Sequence, residues 1–146
     1  MISLFANLVL IFIILEIVAH FFFPIQRFIF SPYKYIGILV IILGAIPNLM
    51  IHSLFKKAQT TIKPDEVPSA LLTLGIFKIS RNPVYLGMTL VLFGEAILLG
   101  SITCFVFPIL FVIITDVWVI RMEEKNLEKK FSQEYLDYKK RVRRWI

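Results

Sequence analysis

Four long apolar segments, separated by polar connections, restrict the folds that this sequence can adopt. A helix of about 20 apolar residues crosses the roughly 30 Å hydrocarbon core of a membrane, and each segment approaches that length. The mean hydropathy of +0.81 and the 58% share of hydrophobic residues exceed what a soluble domain of this length carries. The sequence therefore predicts an all-α integral membrane protein with a single domain (1–146) of four transmembrane helices. The predicted spans are residues 4–23, 35–54, 84–99 and 102–120.

The connections between these segments predict how the spans are arranged. Only Gly100-Ser101 separates the last two spans, which indicates a tight helical hairpin. The hairpin returns the chain to one side, so loop 55–83 and the tail after Ile120 should share a face of the membrane. Both segments carry an excess of Lys and Arg. By the positive-inside rule, this face is predicted to be cytoplasmic.

The polar tail, residues 121–143, contains no Gly or Pro and is rich in Glu, Lys and Leu, so it should form one helix. Its apolar side chains recur every three or four residues, as in an amphipathic helix that lies on the membrane or folds over the loop. We expect these side chains to pack rather than to contact a ligand. Two Arg and a Trp at the end of the tail suit the membrane interface. The apolar stripe comprises Leu127, Phe131, Tyr135 and Tyr138, and the terminal group comprises Arg143, Arg144 and Trp145.

The stretch KISRNPVYLG, residues 78–87, is more specific than a membrane connection requires. It places Arg81 and Asn82 at the start of the third span, whereas Glu123 and Glu124 follow the end of the fourth. Because the hairpin is tight and its arms are similar in length, these two ends should be neighbours. The sequence therefore predicts a polar pocket beside lipid, built from segments about 40 residues apart.

Three motifs resemble the isoprenylcysteine carboxyl methyltransferase family and its phospholipid methyltransferase relatives. They are PSALLTLGIFKISRNPVYLG, RMEEKNL and FSQEYLDYKKRV, and they run from Pro68 to Val142, about half of the chain. The family pattern resembles Arg-His-Pro-x-Tyr-x-Gly, then Glu-Glu-x-x-Leu, then a Tyr-x-x-Tyr tail that ends in Arg-Val. Each motif alone is weak, but the three together, in this order, are fairly specific.

The resemblance implies a site for S-adenosylmethionine, enclosed by loop 55–83, the ends of the hairpin and the tail helix. By position, Glu123 and Glu124 would bind the amino or hydroxyl groups of the cofactor, and Glu124 is the stronger candidate. Arg81 and Arg121 would be the catalytic residues that face the acceptor. The other residues implied to line the cofactor are Leu71, Leu72, Gly75, Phe77, Asn82, Pro83, Val84 and Tyr85.

Three positions depart from the family pattern. Asn82 stands where many members carry His, Phe77 replaces a common Tyr, and Ser132 replaces a common Gly. The exchange at Asn82 removes a titratable group from the site, which leaves the identity of the acceptor open.

The residue types fit methyl transfer without reference to the family. Carboxylates and aromatic faces attract a sulfonium cation, and in-line displacement depends mainly on positioning in a dry site. A carboxylate acceptor arrives ionised and needs only an Arg to hold it, whereas an amine or thiol must lose a proton. The only histidines, His20 and His52, fall within predicted spans. This favours an acceptor that arrives ionised, although small lipid amines and thiols stay open.

Ionisable residues inside predicted spans are costly and suggest a role. Glu95 is a candidate for contact with the acceptor, or else it pairs within the bundle. Asp116 lies one turn from the end of its span, which favours a structural role. Glu16 and His20, at positions i and i+4, are predicted to form a local pair. We expect no metal site, because the sequence has a single Cys and no His-x-x-His motif.

Together, these features predict S-adenosylmethionine-dependent methyl transfer at the cytoplasmic membrane face to a lipophilic acceptor that enters from the lipid. The basic tail is expected to contact membrane lipids and not nucleic acid. The alternatives are methylation of a phospholipid amine or a thiol, a nicotinamide-dependent membrane reductase, and a non-enzymatic scaffold with a degenerate cofactor pocket. The sequence does not predict an oligomeric state.

Overall fold

Helices account for nearly all of the structure, a computed structural model that describes residues 2–23, 25–57 and 70–146. A π-helical segment, Thr115–Ile120, joins the last two α-helices into one continuous helix. The described residues contain no β-strand, only an isolated bridge between Arg27 and Ser101. The predicted all-α class is confirmed. The α-helices are α1 (Ile2–Phe22), α2 (Ile36–Lys57), α3 (Pro83–Leu99), α4 (Val106–Ile114) and α5 (Arg121–Arg141).

Two helices within the described ranges are long and apolar enough to cross a membrane, Tyr33–Ile51 and Ile102–Arg141. The second contains 40 residues, which corresponds to about 60 Å and twice the thickness of the hydrocarbon core. If this helix crosses a membrane, its polar half, α5, extends beyond the apolar layer. Asn7–Phe22 and Pro83–Leu99 are apolar but shorter, so the arrangement of four spans stays a prediction.

Glycines allow α2 and α3 to pack in direct backbone contact. Gly37 of α2 faces Gly94 of α3, and Gly44 faces Gly87, so the two helices run antiparallel. A Cβ atom added to Gly44 would lie 2.6 Å from the carbonyl oxygen of Gly87, far inside van der Waals contact. In each helix the two glycines are seven residues apart, which places them on one face. This small-residue interface fixes the position of the start of α3 relative to α2.

The hairpin between α3 and α4 is as tight as predicted. Gly100 ends α3 with φ of +73°, a conformation that favours glycine, and its N–H donates to the carbonyl of Ala96. The loop after α1 crosses this turn, because the N–H of Phe28 donates to Gly100 and the N–H of Ile102 donates to Gln26, each at 3.0 Å. The turn is therefore held from outside as well as by its own conformation.

The tail is not one uninterrupted helix, which corrects the prediction over residues 121–143. Helix α5 ends at Arg141 and is interrupted at Ser132, whose backbone has φ of +43° and ψ of −116°. Helix propensity predicted no break because the tail lacks Gly and Pro. After this interruption, the second half of α5 packs so that Tyr135 and Tyr138 are buried against Ile51 and Phe77.

The predicted pair between Glu16 and His20 is also wrong. Nε2 of His20 lies 3.3 Å from a guanidinium nitrogen of Arg27, in the loop that follows α1. Within the described part of the chain, neither carboxylate oxygen of Glu16 has a hydrogen-bond partner. The side chain of Glu16 is buried between helices, whereas His20 lies at the end of α1, where the loop reaches it.

Gly44→Ala should destabilise the protein, because the added methyl group would meet the backbone of α3. Overpacking of this kind costs about 1–3 kcal/mol. Unfolding in detergent, followed by circular dichroism, measures the change. Leu49→Phe is the control, since it enlarges a side chain of α2 that is 73% exposed. Equal stability of Gly44→Ala and the wild type would contradict the close contact.

Ser132→Gly should stabilise the tail, because glycine adopts a positive φ without the steric strain that a Cβ imposes. Relief of strain exceeds the added entropy of the unfolded chain by about 1 kcal/mol. Thermal unfolding of the purified protein measures the gain. Ser132→Ala retains the Cβ and should show no increase, so a gain in both variants would argue against backbone strain as the cause.

Candidate functional site

The structure brings together the two ends of the hairpin that the sequence predicted to be neighbours. A guanidinium nitrogen of Arg81, before α3, lies 3.0 Å from Oε1 of Glu124 in α5. The hydroxyl of Tyr85 in α3 donates to Oε1 of Glu123 at 2.7 Å. These contacts form the middle of a network of charged and polar groups, which we call the polar centre. Its members are Arg81, Tyr85, Asp116, Glu123, Glu124 and Arg144.

Glu124 contacts three basic side chains, those of Arg81, Lys139 and Arg144. Arg144 binds it with two nitrogens, Nε at 3.1 Å from Oε1 and Nη2 at 2.7 Å from Oε2. Lys139 adds a longer contact of 3.7 Å. The Glu124 side chain is only 7% exposed, so its charge depends on these partners and on Arg81. The hydrogen bonds to Glu124 hold the pKa of Arg144 above its ordinary value, despite partial burial.

Glu123 differs from its neighbour because no cation is paired with it among the described residues. Among these residues, its hydrogen bond comes from the hydroxyl of Tyr85. Glu123 lies in α5, beyond the apolar segment, and burial raises its pKa to about 7. The hydrogen bond from Tyr85 opposes this shift, and the charge of Glu124 adds to it. A ligand with a positive charge would complement this carboxylate.

The π-helical segment explains how Asp116 and Glu124 reach the same guanidinium. These two residues are eight positions apart, which places them about 80° apart on an ideal α-helix. The i→i+5 bonding of a π-helix reduces the rotation per residue and brings the two side chains towards one face. Nη1 of Arg144 consequently lies 3.0 and 3.2 Å from the two oxygens of Asp116. The structural role predicted for Asp116 agrees with these contacts.

The C-terminal residues close over the polar centre. The amide of Asn82 donates to the carbonyl of Arg144 at 3.0 Å, and the N–H of Arg81 donates to the carbonyl of Arg143 at 3.1 Å. The indole of Trp145 donates to Asp116 at 2.9 Å. Sequence reasoning missed these contacts because it assigned the terminal Arg and Trp residues to lipid. The available signal in the sequence was Asp116, an acid within an apolar segment, since such a group favours a cation as its partner.

Many of the residues implied to line a cofactor lie on one apolar cluster next to the polar centre. Phe77, Tyr135 and Tyr138 are buried in it, as expected for a packing stripe. The hydroxyl of Tyr138 donates to the carbonyl of Phe77 at 2.6 Å, which ties α5 to the turn before α3. Gly75 begins that turn with φ of +62°, where a side chain would be strained. Three further candidates pack on the cluster, Leu71, Leu72 and Val84.

The remaining predicted site residues lie at different distances from the polar centre. Asn82 and Pro83 are buried at its edge, at the start of α3. Arg121 is exposed at the start of α5, where it faces outward. Glu95 is half-buried and lies 12 residues along α3 from Pro83, which corresponds to about 18 Å. Its predicted contact with the acceptor stays a prediction. Loop positions 58–69, including Pro68, lie outside the described residues.

A metal centre has no support in the described ranges, where no group of three His, Cys, Asp or Glu side chains is suitably placed. The geometry instead provides paired carboxylates, arginines and aromatic rings at one end of an apolar helical bundle. Side chains of these types could hold a small charged organic ligand.

Comparison with known proteins identifies the family. The family described as Phospholipid methyltransferase matches residues 33–134, and the chain belongs to this family. A Protein-S-isoprenylcysteine O-methyltransferase of Saccharomyces cerevisiae is 34% identical over 115 residues, which cover 73% of this chain and 46% of the yeast protein. The chain thus spans about half the length of that relative. An uncharacterized protein of Haemophilus influenzae is 36% identical over 63 residues, 43% of this chain and 100% of that protein. No solved structure matches.

Arg144→Lys should destabilise the closed C-terminus, because a lysine cannot make the forked contact with Glu124 and also reach Asp116. The loss of charge-assisted hydrogen bonds corresponds to roughly 1–3 kcal/mol. Hydrogen exchange of the terminal segment and the melting temperature measure the effect. Arg141→Lys is the control, since Arg141 is exposed and its Nε donates to the backbone carbonyl of Asp137 in its own helix. Unchanged exchange in Arg144→Lys would contradict the proposed closure.

Proposed function

We propose that this protein transfers a methyl group from S-adenosylmethionine to a lipophilic acceptor at the membrane surface. The observation that carries the proposal is the polar centre, in which Arg81 and Tyr85 at one end of the hairpin meet Glu123 and Glu124 at the other. Membership of the phospholipid methyltransferase family supports the reaction type. The yeast relative, a Protein-S-isoprenylcysteine O-methyltransferase, also supports it.

The side chains present fit the charges of the proposed cofactor. S-adenosylmethionine, when bound, supplies an electrophilic methyl group on a sulfonium cation and carries an ammonium and a carboxylate. Glu123, which has no paired cation within the described part of the chain, would hold a positive group. Nε of Arg81 is buried without a hydrogen-bond partner there and would hold a carboxylate. The ring of Tyr85, whose hydroxyl bonds Glu123, suits a cation.

The contacts of Glu124 suggest a positioning role. Its two oxygens already bind Arg81 and Arg144, so its main contribution is to orient these guanidinium groups. Glu124 and the hydroxyl of Tyr135 both bind Nη1 of Arg81. These two contacts fix the orientation of the guanidinium and therefore the position of its Nε. Methyl transfer by in-line displacement benefits from such fixed geometry, because most of its catalysis is positioning.

We further propose that the acceptor is an ionised carboxylate on an apolar molecule. Such an acceptor needs no general base, which agrees with the exchange of Asn for a common His at position 82. Arg121, exposed at the start of α5, would hold the carboxylate beside the membrane. The basic residues around the polar centre support a cytoplasmic position for this end of the bundle.

Glu123→Gln should weaken cofactor binding, because it removes the carboxylate that would pair with a cation. Calorimetric titration of the detergent-purified protein with S-adenosylhomocysteine and with S-adenosylmethionine measures this. We expect at least a tenfold loss, which corresponds to about 1.4 kcal/mol, for the methylated cofactor. Glu134→Gln is the matched control, since Glu134 is an exposed acid on the same helix.

The outcomes separate the alternatives. Binding to the wild type and to Glu134→Gln, but not to Glu123→Gln, would support the cofactor site. A folded, monodisperse wild type that binds neither compound would reject the methyltransferase proposal in favour of a scaffold. With binding established, incubation with farnesylcysteine and with a phosphatidylethanolamine distinguishes a carboxyl acceptor from an amine, since only the first gives a base-labile methyl ester.

A further inference from the structure

A cavity of about 310 Å³ lies at the end of the bundle opposite to the polar centre. Its wall is formed by the end of α1, the loop before α2 and the end of α3, including His20, Arg27, Lys34, Leu98 and Leu99. Ligand sites in proteins occupy roughly 300–1,000 Å³, so this cavity is at the small end of that range. Pro83, the first residue of α3, lies at the edge of the polar centre. It is 16 residues from Leu99 at the other end of α3, which corresponds to about 24 Å.

The charged side chains that line this cavity are both basic, and no carboxylate lines it among the described residues. Arg27 and Lys34 are the only charged residues between Phe23 and Tyr35. Neither forms an ion pair with a carboxylate in the described part of the chain, whereas the arginines of the polar centre all do. Two cations that share a cavity without an acid create a site for an anion.

The contact between Arg27 and His20 determines which hydrogen-bonding groups remain available. A guanidinium can only donate, so Nε2 of His20, 3.3 Å away, must accept. A neutral imidazole then carries its proton on Nδ1. Nδ1 is buried and has no partner among the described residues, so it is not open to a ligand in the cavity. The role of His20 is therefore to hold the Arg27 guanidinium at the cavity wall.

The surroundings of the cavity favour a lipid over a free ion. Leu98 and Leu99 provide an apolar wall next to the cations. Ile25 and Phe30 in the adjoining loop are 76% and 62% exposed, and such apolar exposure suits the boundary of a hydrocarbon layer. A phospholipid headgroup combines an anionic phosphate with attached apolar chains, which matches both halves of the wall.

We propose that this cavity binds the phosphate of an anionic membrane lipid through Arg27 and Lys34, with His20 holding the Arg27 guanidinium in place. The site is separate from the methyl acceptor, because it lies at the other end of α3. It anchors the α1–α2 connection to one leaflet, and that connection in turn holds the hairpin turn at Gly100.

Calorimetric titration of the detergent-purified protein tests this, with short-chain phosphatidylglycerol, phosphatidylcholine of the same chain length, and inorganic phosphate. The test variant is the double substitution Arg27→Gln, Lys34→Gln. The matched control is Lys125→Gln, Lys129→Gln, which removes the same charge from two exposed lysines of α5. We expect phosphatidylglycerol to bind at least tenfold more tightly than phosphatidylcholine, and the test variant to lose at least tenfold. The control variant should bind as the wild type does.

Three results would overturn the proposal. Equal losses in the test and control variants would show attraction by net charge and no site. Inorganic phosphate that binds as tightly as phosphatidylglycerol would identify a free-anion site. Equal affinity of wild type and test variant would show that the cations play no part, provided that circular dichroism shows both to be folded. Arg27→Lys, which keeps the charge, should retain most of the binding and distinguish loss of charge from misfolding.

Discussion

The site depends on the pairing of the Glu124 carboxylate with basic side chains. A carboxylate with a side chain 7% exposed must be paired, and its partners come from three separate parts of the chain. Arg81 precedes α3, Lys139 lies late in α5, and Arg144 follows α5. Because Glu124 pairs with cations from these three places, the tail folds back over the start of α3. The residues after α5 then cover the polar centre.

The bundle makes this pairing possible by placing two distant segments side by side. Direct backbone contact between α2 and α3 at their glycines positions the start of α3, and the short turn at Gly100 returns α4 along it. The continuous helix from α4 into α5 then brings Glu123 and Glu124 to Tyr85 and Arg81. A rigid apolar frame thus supports a polar cluster at one of its ends, as is common for sites built on secondary structure.

The two ends of the bundle differ in how their charged side chains are paired. At the polar centre, acids and arginines neutralise one another, and Glu123 is the carboxylate that lacks a cation among the described residues. At the opposite end, Arg27 and Lys34 line a cavity that no carboxylate of the described residues lines. The first arrangement suits a cationic cofactor and the second an anionic headgroup, so the same small bundle presents two complementary surfaces.

The sequence alone determined the features that depend on composition and on short spacing. Apolar blocks predicted the helices, the two-residue connection predicted the hairpin, and adjacency of its ends predicted that Arg81 and Glu124 would meet. Tertiary structure decided what depends on distant partners. The interruption at Ser132, the pairing of His20 with Arg27 in place of Glu16, and the closure by Arg144 and Trp145 all follow from packing or from buried charge. Local propensity cannot reveal these contacts, because their free energy comes from residues far apart in the chain.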